Sequence, residues 1–272
     1  MKLLVTRRMT QAAEHALKAR FDATILERTD GFTEDEAADA MAAYDAIMPT
    51  LGDRVGAGAF RGHPRCRLLA NFGAGYNHID VGAAANAGIA VTNTPDAVTE
   101  ATADIALTLI LMTARRAGEG ERLLRRGGWT GWQPTQLLGR HVAGSTVGII
   151  GMGRIGKAIA RRCHFGFGMQ VLFHNRSVVS ALDFSARQVA DLDELLTQSD
   201  FVVVAVPGGA GTRHMIGAHE LDRLGPRSFL INIARGDVVE EAALIDALQR
   251  GRIAGAGLDV YEFEPKVAPG LC

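Results

Sequence analysis

The stretch VGIIGMGRIG, residues 147–156, decides the fold. An apolar run suited to a buried strand ends in a turn with three glycines, and RIGKAIARRC follows at helical spacing. Each glycine answers a separate demand of a turn that receives a pyrophosphate. Gly151 permits the tight bend, Gly153 lets backbone amides approach the phosphates, and Gly156 allows close packing of helix on strand. A ligand-free α/β protein can also carry a glycine-rich turn, so the motif draws its meaning from the strand before it and the helix after it. Gly151, Gly153, Arg154, Ile155 and Gly156 are the candidate dinucleotide phosphate site.

The next apolar run, MQVLFH, ends in Asn175, Arg176 and Ser177. An NAD site usually places an acidic residue about 20 positions beyond the glycines, where it accepts the ribose hydroxyls. Here Asn175 takes that place, so no carboxylate repels a 2'-phosphate, and the Arg176 guanidinium with two neutral hydrogen-bonding groups can meet it. The reading favours NADPH, with NADH still usable. The alternative is a solvated surface arginine and an ordinary NAD site.

Outward from this turn, short apolar runs alternate with helical patterns, the sign of parallel sheets built from βαβ units. STVGII, MQVLFH, FVVVAVP, SFLINIA and AGLDV predict the strands of a larger doubly wound sheet. Helices are expected up to Cys163, after an Asp191/Glu194 cap, and before Gly251. Towards the start, LLV at 3–5, DAIM at 45–48, RLLANF at 67–72 and GIAVT at 88–92 predict a smaller sheet. Thr33 and Glu36 form a capping box opening a helix between the first two of these runs. A single helix is expected from Thr99 to Arg126, followed by a loop holding Trp129 and Trp132. The chain therefore divides at residues 1–95 and 96–272, two α/β domains with a cleft between them.

The 272 residues suit two domains, and a formal net charge of -1 leaves no footprint for nucleic acid or an anionic membrane. The apolar run IALTLILMTA is half the length of a membrane span, and MKLLV is too short for a secretory signal. Cys66, Cys163 and Cys272 are odd in number and widely spaced, which argues against a disulfide framework or a zinc site and for structural thiols in a reducing cytoplasm.

Several stretches together resemble the D-2-hydroxyacid dehydrogenase family, and within it the glyoxylate/hydroxypyruvate reductases. They are ANFGAGYNHID, VTNTP, TADIALTLILMTARR, VGIIGMGRIG, AVPGGAGTRHMI, INIARGDVVEEAALIDAL and GRIAGAGLDVYEFEP, in the family's order and covering nearly the whole chain. The resemblance implies a flavodoxin-like N-terminal substrate domain and a Rossmann dinucleotide-binding domain. It implies that Arg235 holds the substrate carboxylate and polarises the keto oxygen, and that the backbone amides of Ala74 and Gly75 take the carboxylate's other side. Hydride attack on a 2-oxo acid builds charge on oxygen beside a fixed carboxylate, and a planar guanidinium can serve both. The resemblance also implies that Val206, Pro207, Ile233, Ala234 and Asp259 line the nicotinamide half, and that the Trp129–Trp132 loop crosses a homodimer.

By the same resemblance Glu264 is the catalytic glutamate that orients and charges a histidine, which then protonates the forming alkoxide. In the family that histidine follows some tens of residues later, whereas this sequence has eight residues after Glu264. The expectation is that the histidine segment, and the helix that returns to the first domain, are missing. Of the eight histidines present, His78, His164 and His174 are poor substitutes and His214 is the least implausible. The expected activity is NADPH-dependent reduction of a small 2-oxo acid such as glyoxylate or hydroxypyruvate. Two other readings fit the same residues: a dinucleotide-binding module without chemistry, and a fragment of a longer reductase.

Overall fold

The computed structural model describes residues 1–271 and contains two compact units, Met1–Val98 and a second beginning at Thr99. In the first unit β1 (Lys2–Val5), β2 (Asp22–Ile25), β3 (Ala46–Met48), β4 (Leu68–Ala70) and β5 (Ala90–Thr92) form a parallel sheet in the order β2-β1-β3-β4-β5. Helices α1 (Gln11–Arg20), α2 (Glu34–Ala43) and α3 (Val81–Asn86) accompany it. Successive strand residues face opposite sides. Leu4, Ile47 and Leu69 join Met41 and Ala84 in one core, and Leu3, Val5 and Ala46 pack with Leu17 and Phe21 in another. Helix α2 opens as the sequence predicts: the Glu36 amide donates to Thr33 Oγ1 at 3.2 Å, and the Thr33 amide to Glu36 Oε2 at 2.8 Å.

The sequence reading passed over α1 and β2. Of the ten residues in α1 only Glu14 is buried, and edge strand β2 buries no residue fully, so neither gives a strong apolar signal.

The second unit begins with α4 (Thr99–Ala114) and α5 (Ala117–Arg125), not the one helix expected over Thr99–Arg126. The Ala114 carbonyl accepts the Arg140 amide at 2.8 Å, and Arg116 turns left-handed at φ 53°, which ends the first helix. Then follow β6 (Thr146–Ile150), α6 (Arg154–Arg161), β7 (Gln170–His174), β8 (Arg187–Val189), α7 (Leu192–Gln198), β9 (Phe201–Val204), α8 (Ala218–Leu224), β10 (Phe229–Asn232), α9 (Glu241–Gln249) and β11 (Gly255–Leu258). The six strands lie parallel in the order β11-β10-β9-β6-β7-β8, the doubly wound dinucleotide-fold order. Helix α6 stops at Arg161, short of the expected Cys163, and continues as one wider turn over Arg162–Gly166. The short edge strand β8 escaped the sequence reading. Helix α7 is capped by Asp191 through the Asp193 amide, while Glu194 pairs with Arg187.

Val147, Ile149, Phe173, Val203 and Ile231 meet α4 and α6 on one face, while Ile150, Val202, Val204 and Leu230 meet Leu195, Leu221 and Leu244 on the other. Strands covered on both sides read as near-continuous apolar runs, which is why the sequence showed them so plainly. Cys66 and Cys163 are buried free thiols, and burial pushes the Cys163 thiol up to about 12. Cys272 lies outside the described residues. Among those residues no helix is long and apolar enough to cross a membrane.

Candidate active site

The candidate residues of the second unit gather at the carboxyl ends of its strands: 151–156 after β6, 175–177 after β7, 206–207 after β9, 233–235 after β10 and Asp259 after β11. The chain reverses direction of winding between β6 and β9, where open α/β sheets form a crevice for ligands. Gly151 stands at φ 100°, and its amide donates to the His174 carbonyl at 2.9 Å. A Cβ there would lie 2.7 Å from the Ala205 carbonyl oxygen, and one on Gly156 would lie 2.1 Å from that of Gly151. A Cβ on Gly153 would meet nothing within 4 Å, so this corner of the turn, directly before α6, is open. That combination of two packed glycines and one open one fits a pyrophosphate at the helix N-terminus. Ile155, in the first turn of α6, packs against the core.

Asn175 is built into the turn. Its Oδ1 accepts the Met152 amide at 3.2 Å, and its Nδ2 donates to the Ser177 carbonyl and hydroxyl at 3.0 and 3.1 Å. It thereby braces the glycine turn against the end of β7. Arg176 is exposed beside this brace, and among the described residues no carboxylate pairs with it.

Arg235 is half-buried on the turn after β10. Asn232, only 1 % exposed, closes that turn from inside: its Oδ1 accepts the Ala234 amide at 3.1 Å and its Nδ2 donates to the Arg235 carbonyl at 2.9 Å. Arg235 Nη1 donates to the Ala234 carbonyl at 2.6 Å. Gly208 makes room for the arginine's stem, since a Cβ there would sit 2.6 Å from Arg235 Cγ. Gly236 is needed for a different reason: a Cβ would fall 1.9 Å from the Tyr261 carbonyl, so the Arg235 turn and the segment leading to Glu264 touch backbone to backbone. The Asp259 amide donates to the Asn232 carbonyl at 3.0 Å, tying the same two segments. Ile233 and Ala234 are buried and Val206 is partly so.

Glu264 is exposed, and its Oε1 accepts the Tyr261 amide at 2.8 Å. The carboxylate that meets a histidine here is Glu262, whose Oε1 lies 2.7 Å from His214 Nε2. Glu262 is also clamped to α9. Its Oε2 accepts the Glu241 amide at 3.3 Å, and its own amide donates to Glu241 Oε1 at 2.7 Å. The sequence reading noted Glu262 and Glu264 as an acidic pair and considered His214 as a donor, but did not pair His214 with Glu262. A pairing across 48 residues has no local signal.

In the first unit Ala74 and Gly75 lie in the loop after β4, both partly exposed. The buried Asn71 donates from Nδ2 to the carbonyls of Gly73 and Gly75.

Residues 107–271 match the model of the D-isomer specific 2-hydroxyacid dehydrogenase NAD binding domain. The chain is 43 % identical over 269 residues to a glyoxylate reductase of Thermococcus gammatolerans, spanning 97 % of this chain and 80 % of that one. It is 40 % identical, over the same shares, to a glyoxylate reductase of Pyrococcus furiosus. Among solved structures, the NADPH-dependent glyoxylate/hydroxypyruvate reductase of Sinorhizobium meliloti, crystallised with NADP and malonate, superposes with a TM-score of 0.87 at 38 % identity, over 99 % of this chain and 82 % of that one.

Proposed function

This chain belongs to the D-isomer-specific 2-hydroxyacid dehydrogenase family, and from that premise we propose that it reduces glyoxylate and hydroxypyruvate with NADPH as the preferred cofactor. The observation that carries the reading is Arg235: a half-buried arginine whose backbone turn is closed by Asn232, at the same carboxyl end of the sheet as an open glycine turn. Bound NADPH would supply the hydride. The amides around Gly151–Gly156 hold the pyrophosphate, Arg176 takes the 2'-phosphate, and Val206, Pro207, Ile233, Ala234 and Asp259 line the nicotinamide half. Arg235 holds the substrate carboxylate and polarises the keto oxygen, where preorganised charge matters most as the alkoxide forms. By the family resemblance Glu264 would orient and charge a histidine that protonates that alkoxide, while the pairing present in this segment among the described residues is His214 with Glu262. In the first unit the amides of Ala74 and Gly75 are the groups suited to bind a carboxylate.

The active assembly is a homodimer formed through the Trp129–Trp132 loop. The 53 % and 81 % exposure of its two tryptophans, with Ile105 and Met112 exposed on α4, supports this. The experiment is to titrate NADPH and NADH by nucleotide fluorescence and to follow cofactor consumption with glyoxylate, hydroxypyruvate and pyruvate. Tighter NADPH binding with turnover of the first two acids supports the reading; turnover with NADH alone overturns the cofactor part.

A further inference from the structure

We propose that Asn71 and Asn93 are positioning residues that make the loop at 73–76 a three-amide anion cradle, with the Tyr76 N–H joining those of Ala74 and Gly75. The inference rests on reading this loop as the substrate-carboxylate site. Three consecutive carbonyls are tied down on one side. Gly73 O accepts the Thr94 amide at 3.0 Å and Asn71 Nδ2 at 3.1 Å, Ala74 O accepts Asn93 Nδ2 at 2.8 Å, and Gly75 O accepts Asn71 Nδ2 at 3.0 Å. In a trans peptide the next residue's N–H points opposite to the carbonyl. The only cis peptide among the described residues is Glu264-Pro265. Fixing these three carbonyls therefore aims the N–H groups of Ala74, Gly75 and Tyr76 away from the asparagines. Among the described residues no acceptor takes any of the three.

Asn71 is 2 % exposed, and its Oδ1 is buried without a donor. Two carbonyl acceptors fix which end of the amide is NH2, and the fold leaves the other end unsatisfied to keep them. Gly73 belongs to the same device, because a Cβ there would crowd Gly75 O at 3.3 Å. Both asparagines stand directly after neighbouring strands, β4 and β5, so the cradle is held by the sheet rather than by the loop. Successive converging amides suit one carboxylate oxygen or another small anion.

The test is a titration of the 15N-labelled full chain with oxalate. The amide signals of Ala74, Gly75 and Tyr76 shift together and saturate. Asn71→Leu and Asn93→Ala each weaken oxalate binding by about tenfold, as loss of aim in charge-assisted hydrogen bonds implies. In the same variants KM for glyoxylate rises with kcat nearly unchanged, the sign of lost uniform binding, while NADPH affinity holds. Asn93 is exposed, so Asn93→Ala decides the matter if Asn71→Leu fails to fold. Unchanged oxalate affinity in folded Asn93→Ala, or a Tyr76 amide that does not move, overturns the cradle. Shifted amides in a chain that never reduces glyoxylate support the cradle and overturn the functional reading. Turnover with unmoved amides does the reverse.

Discussion

On the proposed reading, cofactor choice turns on Arg176. Its neighbour Asn175 is consumed by Met152 and Ser177, which leaves the guanidinium as the group free to meet a phosphate. Arg176→Ala is expected to erase most of the NADPH preference over NADH, about 1.5–3 kcal/mol for a hydrogen bond to a charged group, read by parallel fluorescence titrations. Equal affinities in the unaltered protein contradict the assignment. Cys163 gives a second residue-scale prediction. The folded chain holds its thiol proton to about 12, while an unfolded thiol releases it near 9.0. Between those values the native state binds more protons than the unfolded one, so stability falls as pH rises through the window. Denaturant midpoints measured from pH 8.5 to 10.5 should decline less steeply in Cys163→Ala than in the parent. At this scale the glycines stood out through their fixed spacing after a strand, and Arg235 through the family resemblance. The sequence hid the partners of Asn71, Asn93, Asn232 and Glu262, which are set by how loops close.

Elements were legible in proportion to how deeply they are buried. Strands β6, β9 and β10 are covered on both faces and announce themselves as apolar runs, whereas β2, β8 and α1 lie at the margins and do not. The break between α4 and α5 was invisible because it depends on Arg140, distant in sequence, taking the Ala114 carbonyl. The same holds for the segment after β11, which α9 grips through the reciprocal amide–carboxylate contacts of Glu241 and Glu262. Glu262→Ala should leave the Glu241 amide without its acceptor and lower stability by about 1–3 kcal/mol, measured by chemical denaturation. A change within about 0.5 kcal/mol would show the grip to be incidental. Reductase activity should fall further than stability, because the loosened segment carries Glu264.

For the whole molecule, the alternating rhythm of strands and helices predicted two parallel sheets, and the structure has two, ordered β2-β1-β3-β4-β5 and β11-β10-β9-β6-β7-β8. Assembly is a property of exposed surface. If the Trp129–Trp132 loop crosses a dimer, Trp132→Glu should yield a monomer by light scattering while each unit keeps its helix and strand content. A variant that remains dimeric contradicts that role. The central claim is that one chain joins a cofactor turn to an arginine that acts on a 2-oxo acid. Its most direct test is glyoxylate-dependent NADPH consumption by the unaltered protein and by Arg235→Gln, with NADPH affinity measured alongside. The account predicts turnover in the first, a loss of about 10²–10³ in kcat/KM in the second, and NADPH affinity within about twofold in both. NADPH binding without glyoxylate-dependent consumption, or an Arg235→Gln variant as active as the parent, would contradict it.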